Sequence, residues 1–305
     1  MFRRFVRYLL CLVGVVVIGG AVFYFITAPN PLPDNHWANL GEPDLKNGEM
    51  VFWTGGCVSC HAAPRSEGDA KLTLSGGLAL KSPFGTFHVP NISPDEKAGV
   101  GTWTLAQFGN AMKRGVAPSG QHLYPSFPYN SYARMSDKDV NDLFGYLKTL
   151  PKSGNVAPPH ELPFPYNIRL ALGGWKFLYF NDEPRVALAA NVDDKIKRGQ
   201  YLVEGPGHCG ECHTPRDRLG GFEGDKWLAG APNPEGRGRI PNITPGSKTV
   251  GSWSQEDIAN YLETGFTPDF DTAGGSMADV QRNLAHLPKP ELEAIAAYVK
   301  AVPNR

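Results

Sequence analysis

The strongest hydrophobic signal in the chain lies at its N-terminus. From Tyr8 to Ile26 there is no charged residue, and Arg3, Arg4 and Arg7 precede the run. A helix of roughly 20 apolar residues is long enough to span a bilayer. The run passes into Thr27-Ala28-Pro29-Asn30-Pro31 with no small-residue cleavage motif, so residues 1–30 read as an uncleaved membrane anchor rather than a removable secretory signal. The arginines hold the N-terminus in the cytoplasm, and the remaining chain is exported. Cys11, inside the run, reads as a buried thiol of the spanning helix. Further along, apolar positions recur with helical spacing over Leu105–Arg114, Asp137–Leu150, Gln255–Thr264 and Pro290–Val302, which predicts four amphipathic helices. Thr104 and Ser254 stand where a helix cap is needed for the first and third of these.

The exported part is one block written twice. Lys46-Asn47-Gly48-Glu49-Met50 leads to Cys57-Val58-Ser59-Cys60-His61, and Lys197-Arg198-Gly199-Gln200-Tyr201 leads to Cys209-Gly210-Glu211-Cys212-His213. Pro90-Asn91-Ile92-Ser93-Pro94 is matched by Pro241-Asn242-Ile243-Thr244-Pro245, and Gly101-Thr102-Trp103-Thr104 by Gly251-Ser252-Trp253-Ser254. The order and spacing repeat across about 100 positions, which means two homologous domains. The boundaries are placed at 31–155 and 191–305, with a Pro- and aromatic-rich segment, 156–190, between them. Trp175, Phe177, Tyr179 and Phe180 are too many aromatics for a free linker, so this segment is expected to pack between the domains or to meet a partner.

Composition narrows the picture. With 305 residues there is room for two domains. Lys plus Arg balances Asp plus Glu at 30 each, so the formal net charge is zero. This removes the electrostatic case for a nucleic-acid partner. Gly (35) and Pro (27) are abundant, which points to loop-rich domains with short helices and little sheet.

The repeated cysteines carry the chemistry. Cys-x-x-Cys-His is the pattern of covalent c-type haem attachment: two thiols add across the haem vinyl groups and the adjacent His supplies the proximal iron nitrogen. Zinc would need two further Cys or His ligands per site, and no paired set is present. A thioredoxin-like pair would sit in a βαβ pattern, which is missing. Two covalently bound haem c groups are therefore expected, on Cys57 and Cys60 with His61, and on Cys209 and Cys212 with His213.

The sixth iron ligand separates carrier from catalyst. Among five methionines, Met1 is cytoplasmic, and Met50 and Met112 read as core residues. Met277, in Gly274-Gly275-Ser276-Met277, is the candidate distal ligand of the second haem. For the first, Met135 is preferred over His122, although strict alignment of the repeats sets Met135 against Leu287. His36, His88, His160, His208 and His286 are unmatched between the copies and read as surface or structural residues. Asn91 and Asn242 read either as haem-edge residues or as turn formers.

On these motifs, together with Leu123-Tyr124-Pro125-Ser126-Phe127-Pro128-Tyr129 and Gly274 to Val280, residues 42 to 302 resemble the multi-haem cytochrome c subunits of periplasmic alcohol, aldehyde and gluconate dehydrogenases. The resemblance implies an all-α fold: two tandem class I cytochrome c domains behind one N-terminal transmembrane helix. It also implies an electron carrier of the bacterial inner membrane, with its haem domains in the periplasm. Its donor would be a periplasmic dehydrogenase, and its acceptor a membrane oxidase or another cytochrome. The chain departs from the family in two ways: it has two attachment motifs where three are common, and Phe127 where a methionine often stands. The alternative is a di-haem redox enzyme, peroxidase-like or thiosulfate-oxidising, with an open or unusual distal site.

Overall fold

A computed structural model describes residues 2–233, 236 and 238–305. The N-terminal run forms α1 (Phe2–Thr27), longer than the apolar core alone because the arginine-rich start is helical too. Among the described residues it is the one helix long and apolar enough to cross a membrane. The first half of the chain behind α1 contains α2 (Leu45–Thr54), α3 (Cys57–His61), a hairpin of β1 (Ala79–Ser82) and β2 (Gly85–His88), α4 (Leu105–Arg114), α5 (Tyr129–Tyr132) and α6 (Asp137–Leu147). The connecting segment holds α7 (Ala171–Tyr179). The second half contains α8 (Asp194–Glu204), α9 (Gly210–His213), a short β3 (Ala231–Pro232) and β4 (Arg239–Ile240) pair, α10 (Gln255–Thr264), α11 (Ser276–Leu284) and α12 (Lys289–Ala301). The helices expected over 105–114 and 255–264 form as read. The helix from Asp137 ends at Leu147, three residues short of the expected limit, and that from Pro290 begins one residue earlier.

Each half is organised by one helix crossing. α2 packs on α6, and α8 on α12. Both contacts pass over a glycine: a Cβ on Gly48 would lie 2.1 Å from the Asp142 carbonyl oxygen, and one on Gly199 would lie 1.9 Å from that of Ala294. Below each glycine is an aromatic of the partner helix, Tyr146 or Tyr298. Two separate apolar clusters result. One gathers Trp37, Phe52, Leu74, Phe108, Val140 and Leu147, and the other Leu202, Trp227, Ile258, Leu292, Ile295 and Tyr298.

The predicted caps are present in full. Thr104 accepts from the Gln107 backbone while the Gln107 side chain accepts from Thr104 N, and Ser254 and Asp257 make the same reciprocal pair. The two orphan donors satisfied at each start are worth about 1 kcal/mol. Thr104→Ala and Ser254→Ala are each expected to lower stability by about that amount, read as a shift in a chemical denaturation midpoint with haem content unchanged.

The connecting segment packs against both halves. Lys176 Nζ donates to the carbonyls of Arg114 (2.6 Å) and Gly115 (2.8 Å), Trp175 Nε1 donates to Leu219 O (3.0 Å), and Tyr179 OH donates to Asp217 Oδ2 (2.7 Å). α7 also lies against the end of α1, where Gly173 leaves room for the Thr27 backbone.

Candidate haem attachment sites

Each Cys-x-x-Cys-His motif folds as a single helical turn. In α3, Gly56 precedes the turn with a left-handed backbone (φ +54°), and in α9 the preceding His208 has φ +39°. In each turn the first cysteine is half-buried and the second exposed: Cys57 and Cys209 against Cys60 and Cys212. Burial, reinforced by the neighbouring cysteine, pushes the Cys57 and Cys209 thiols up to about 12, so both stay protonated at neutral pH.

The histidines are held identically. His61 Nδ1 lies 2.9 Å from the Pro90 carbonyl oxygen, and His213 Nδ1 lies 2.8 Å from that of Pro241. A carbonyl only accepts, so the ring proton sits on Nδ1 and the Nε2 lone pair is left for a ligand. Desolvation pushes His61 down to about 4 and lowers His213 as well, keeping both imidazoles neutral. A backbone carbonyl that fixes ring orientation and tautomer is how proteins present an imidazole to a metal. Paired thiols and a neutral, oriented imidazole within one turn fit a covalently attached haem c at both motifs.

The prolines supplying these carbonyls open the repeated Pro-Asn-Ile-Ser/Thr-Pro segments. Their role was not legible in the sequence, because it lies in the backbone oxygen. The asparagines beside them form turns. Asn91 Oδ1 accepts from Ser93 N (2.8 Å), and its amide donates to Ser153 O and Asn155 O; Asn242 does the same with Thr244 N (2.7 Å) and Arg305 O.

The candidate distal residues fall in different settings. Met277 is half-buried in the first turn of α11, not in the loop before it, and packs against the second apolar cluster. Met135 is 2% exposed in the first cluster, beside Met112, Tyr132, Leu143 and Cys57. Phe127 is half-buried and packs against that same cluster. His122 is buried, with Nε2 2.7 Å from the Thr27 carbonyl at the end of α1. Met50 lies between the two clusters, and Met112 is a core residue.

The two motifs also meet across the boundary between the halves. Ser59, between Cys57 and Cys60, accepts from the Asn283 amide at the end of α11 (2.7 Å). Glu211, between Cys209 and Cys212, accepts from Ser131 of the first half (2.7 Å). His208, one residue before Cys209, donates to the Gly55 carbonyl (3.2 Å), and Trp53 stacks on His286 with centroids 3.8 Å apart.

Comparison with known proteins agrees with this geometry. Residues 45–151 match the family Cytochrome c. A diheme cytochrome c-type protein of Cereibacter sphaeroides is 51% identical over 290 residues, covering 95% of this chain and 96% of its relative. The chain belongs to the cytochrome c family. The cytochrome is also 36% identical to the fructose dehydrogenase cytochrome subunit of Gluconobacter japonicus over 92% of this chain and 55% of that subunit. With the gluconate 2-dehydrogenase cytochrome c subunit of Pantoea cypripedii it shares 33% identity, over 85% of this chain and 59% of that subunit. The cytochrome thus spans a little over half the length of these dehydrogenase subunits.

Proposed function

We propose that the chain is a membrane-anchored di-haem electron carrier that takes single electrons from a periplasmic dehydrogenase and passes them to a membrane oxidase or another respiratory acceptor. The observation that carries this reading is the closeness of the two attachment motifs. His208, next to Cys209, donates to the Gly55 carbonyl two residues before Cys57, and each turn bonds to the other half, through Ser59–Asn283 and Ser131–Glu211. The tandem domains are 31–155 and 191–305, with 156–190 packed between them. Cys57 and Cys60 attach the first haem and Cys209 and Cys212 the second. His61 and His213 are the proximal ligands, and Met277 is the distal ligand at the second site. Bound haem c supplies a one-electron iron couple.

The protein's own part is to keep both histidines neutral and aimed, through Pro90 and Pro241, and to hold the two turns at a fixed separation. Its attachment to the membrane end supports a direction of flow. Behind α1, the chain is stitched to the first half: Asn110 exchanges hydrogen bonds with Leu32 (2.7 and 2.9 Å), Arg114 donates to Asn30 O, and His122 donates to Thr27 O. The first haem is therefore the one near the inner-membrane acceptor, and electrons enter at the second. Identity with cytochrome subunits of dehydrogenases supports the donor class.

The detergent-solubilised protein is expected to contain two haems per chain by pyridine haemochrome assay. Spectroelectrochemical titration is expected to give two one-electron waves. After photoreduction of one haem, the electron is expected to redistribute between the two faster than it exchanges between molecules. One haem per chain, or redistribution that depends on protein concentration, would overturn the carrier reading.

A further inference from the structure

We infer that the iron held by His61 has no side chain as its sixth ligand, and that its distal face, at Phe127, is a binding site for a small exogenous ligand of diatomic size. This rests on the haem c reading above.

The argument is one of register between the halves. α4 and α10 each end in a left-handed glycine, Gly115 (φ +57°) and Gly265 (φ +82°). Each glycine starts the same small loop. Val116 bridges His122, and Phe266 bridges Thr272. Ala117 N donates to Gln121 O as Thr267 N does to Asp271 O, both at 2.8 Å. Leu123 N closes on Gly115 O, and Ala273 N on Gly265 O. From Gly115 to Leu123 every position thus pairs with its counterpart at one constant offset. That offset carries forward to set Phe127 against Met277.

The halves then differ, because α11 is longer than α5. Register returns at the last helices, where Met135 N donates to Tyr132 O and Leu287 N to Leu284 O, both at 2.9 Å. Met135 therefore holds the place of Leu287, a buried core side chain. Met112 likewise holds the place of Leu262, also buried. In the second half, aliphatic side chains do both jobs, so these two methionines of the first half are accounted for by packing. Met50, the remaining one, sits on α2 between the two clusters, with Arg198 3.8 Å from its sulfur. No thioether of the first half occupies the ligand place, and Phe127 does.

His122 does not take over the role on this register. Its counterpart is Thr272, five residues before Met277, and its Nε2–H is spent on the Thr27 carbonyl at the anchor. Its Nδ1 has no hydrogen-bond partner among the described residues, so it is included in the test. A phenyl ring offers no lone pair to iron. It also lines the distal face with apolar surface, which favours a small neutral ligand over water.

The experiment uses the full-length holoprotein in detergent, after haemochrome assay has counted two haems per chain. A count below two is a failure of the carrier reading and is seen before this test begins. Carbon monoxide is then titrated into the reduced protein, and methionine–iron charge-transfer bands are counted in the oxidised protein. One carbon monoxide and one such band per chain are expected. Phe127→Met is expected to reduce binding to zero and double the band, while Met277→Ala raises binding to two and removes it. Met135→Leu and His122→Gln are expected to change neither number. The inference is overturned if the wild type binds no carbon monoxide, if Met135→Leu removes a charge-transfer band, or if His122→Gln creates a binding site.

Discussion

Replacing Cys209 and Cys212 together by alanine is expected to halve the haem content and to unfold the second half. The reason lies in how little regular structure surrounds the second site. Between α9 and α10 the described chain forms only 3-10 turns and the two-residue pair β3–β4. Two short hydrogen bonds hold this stretch beside α9: His213 to Pro241 O, and Gly230 N to His213 O (2.7 Å). Both run through the residue proposed to bind iron. Trp227 and Leu228 anchor this loop in the second apolar cluster. With so little regular structure, however, the rest of its ordering entropy has few contacts to offset it, and the covalent porphyrin supplies them. The expected readouts are a haemochrome value of one per chain, reduced far-ultraviolet circular dichroism, and rapid proteolysis within 214–254. A variant with native helicity and one haem would show that the polypeptide alone holds the fold.

The second large effect is expected at the helix crossing. Gly199→Leu places a side chain where the Ala294 carbonyl already stands, 1.9 Å from the Cβ position. The obstacle is backbone, so it cannot rotate away, and α8 and α12 must separate along their whole contact. Overpacking of this kind costs about 3 kcal/mol, and the lost dispersion between Leu202, Leu292 and Ile295 adds to it. Thermal unfolding followed at the haem absorbance is expected to show the second half melting first, well below the wild type. Gly224→Ala, where a new Cβ meets nothing within 4 Å, is the control and is expected to melt as the wild type does. Equal melting of the two variants would remove the close crossing as a source of stability.

Much of the architecture was legible before any coordinates. The long apolar helix α1 follows from an uncharged run of bilayer length, and the capped helices from a 3.6-residue period behind Thr104 and Ser254. The duplication follows from repeated motifs, and the crossing glycines were already visible as the matched Gly48 and Gly199. What they were for was not visible. A glycine in a helix reads as a weakness until the partner backbone is seen above it. The aromatics of the connecting segment imply either packing between the halves or a partner surface, and α7 touches both halves. The other missed contributions come from main-chain atoms: the Pro90 and Pro241 carbonyls that aim the histidines have no side-chain signature.

Sequence by itself therefore determined which residues could bond covalently to a haem, since thiol and imidazole chemistry at fixed spacing is local to a five-residue turn. It also determined the number of copies of that turn and the apolar N-terminal helix. Only the tertiary structure decided which residues from distant segments share a place. The repeat in the sequence already sets Met135 against Leu287; the loop hydrogen bonds from Gly115 to Leu123 and from Gly265 to Ala273 are what extend the pairing to Phe127 and Met277. Likewise, the contact of Ser59 with Asn283 and of Glu211 with Ser131 joins residues far apart in the chain. Such pairings depend on how loops close and helices cross, and those are set by packing against partners that a local pattern does not contain.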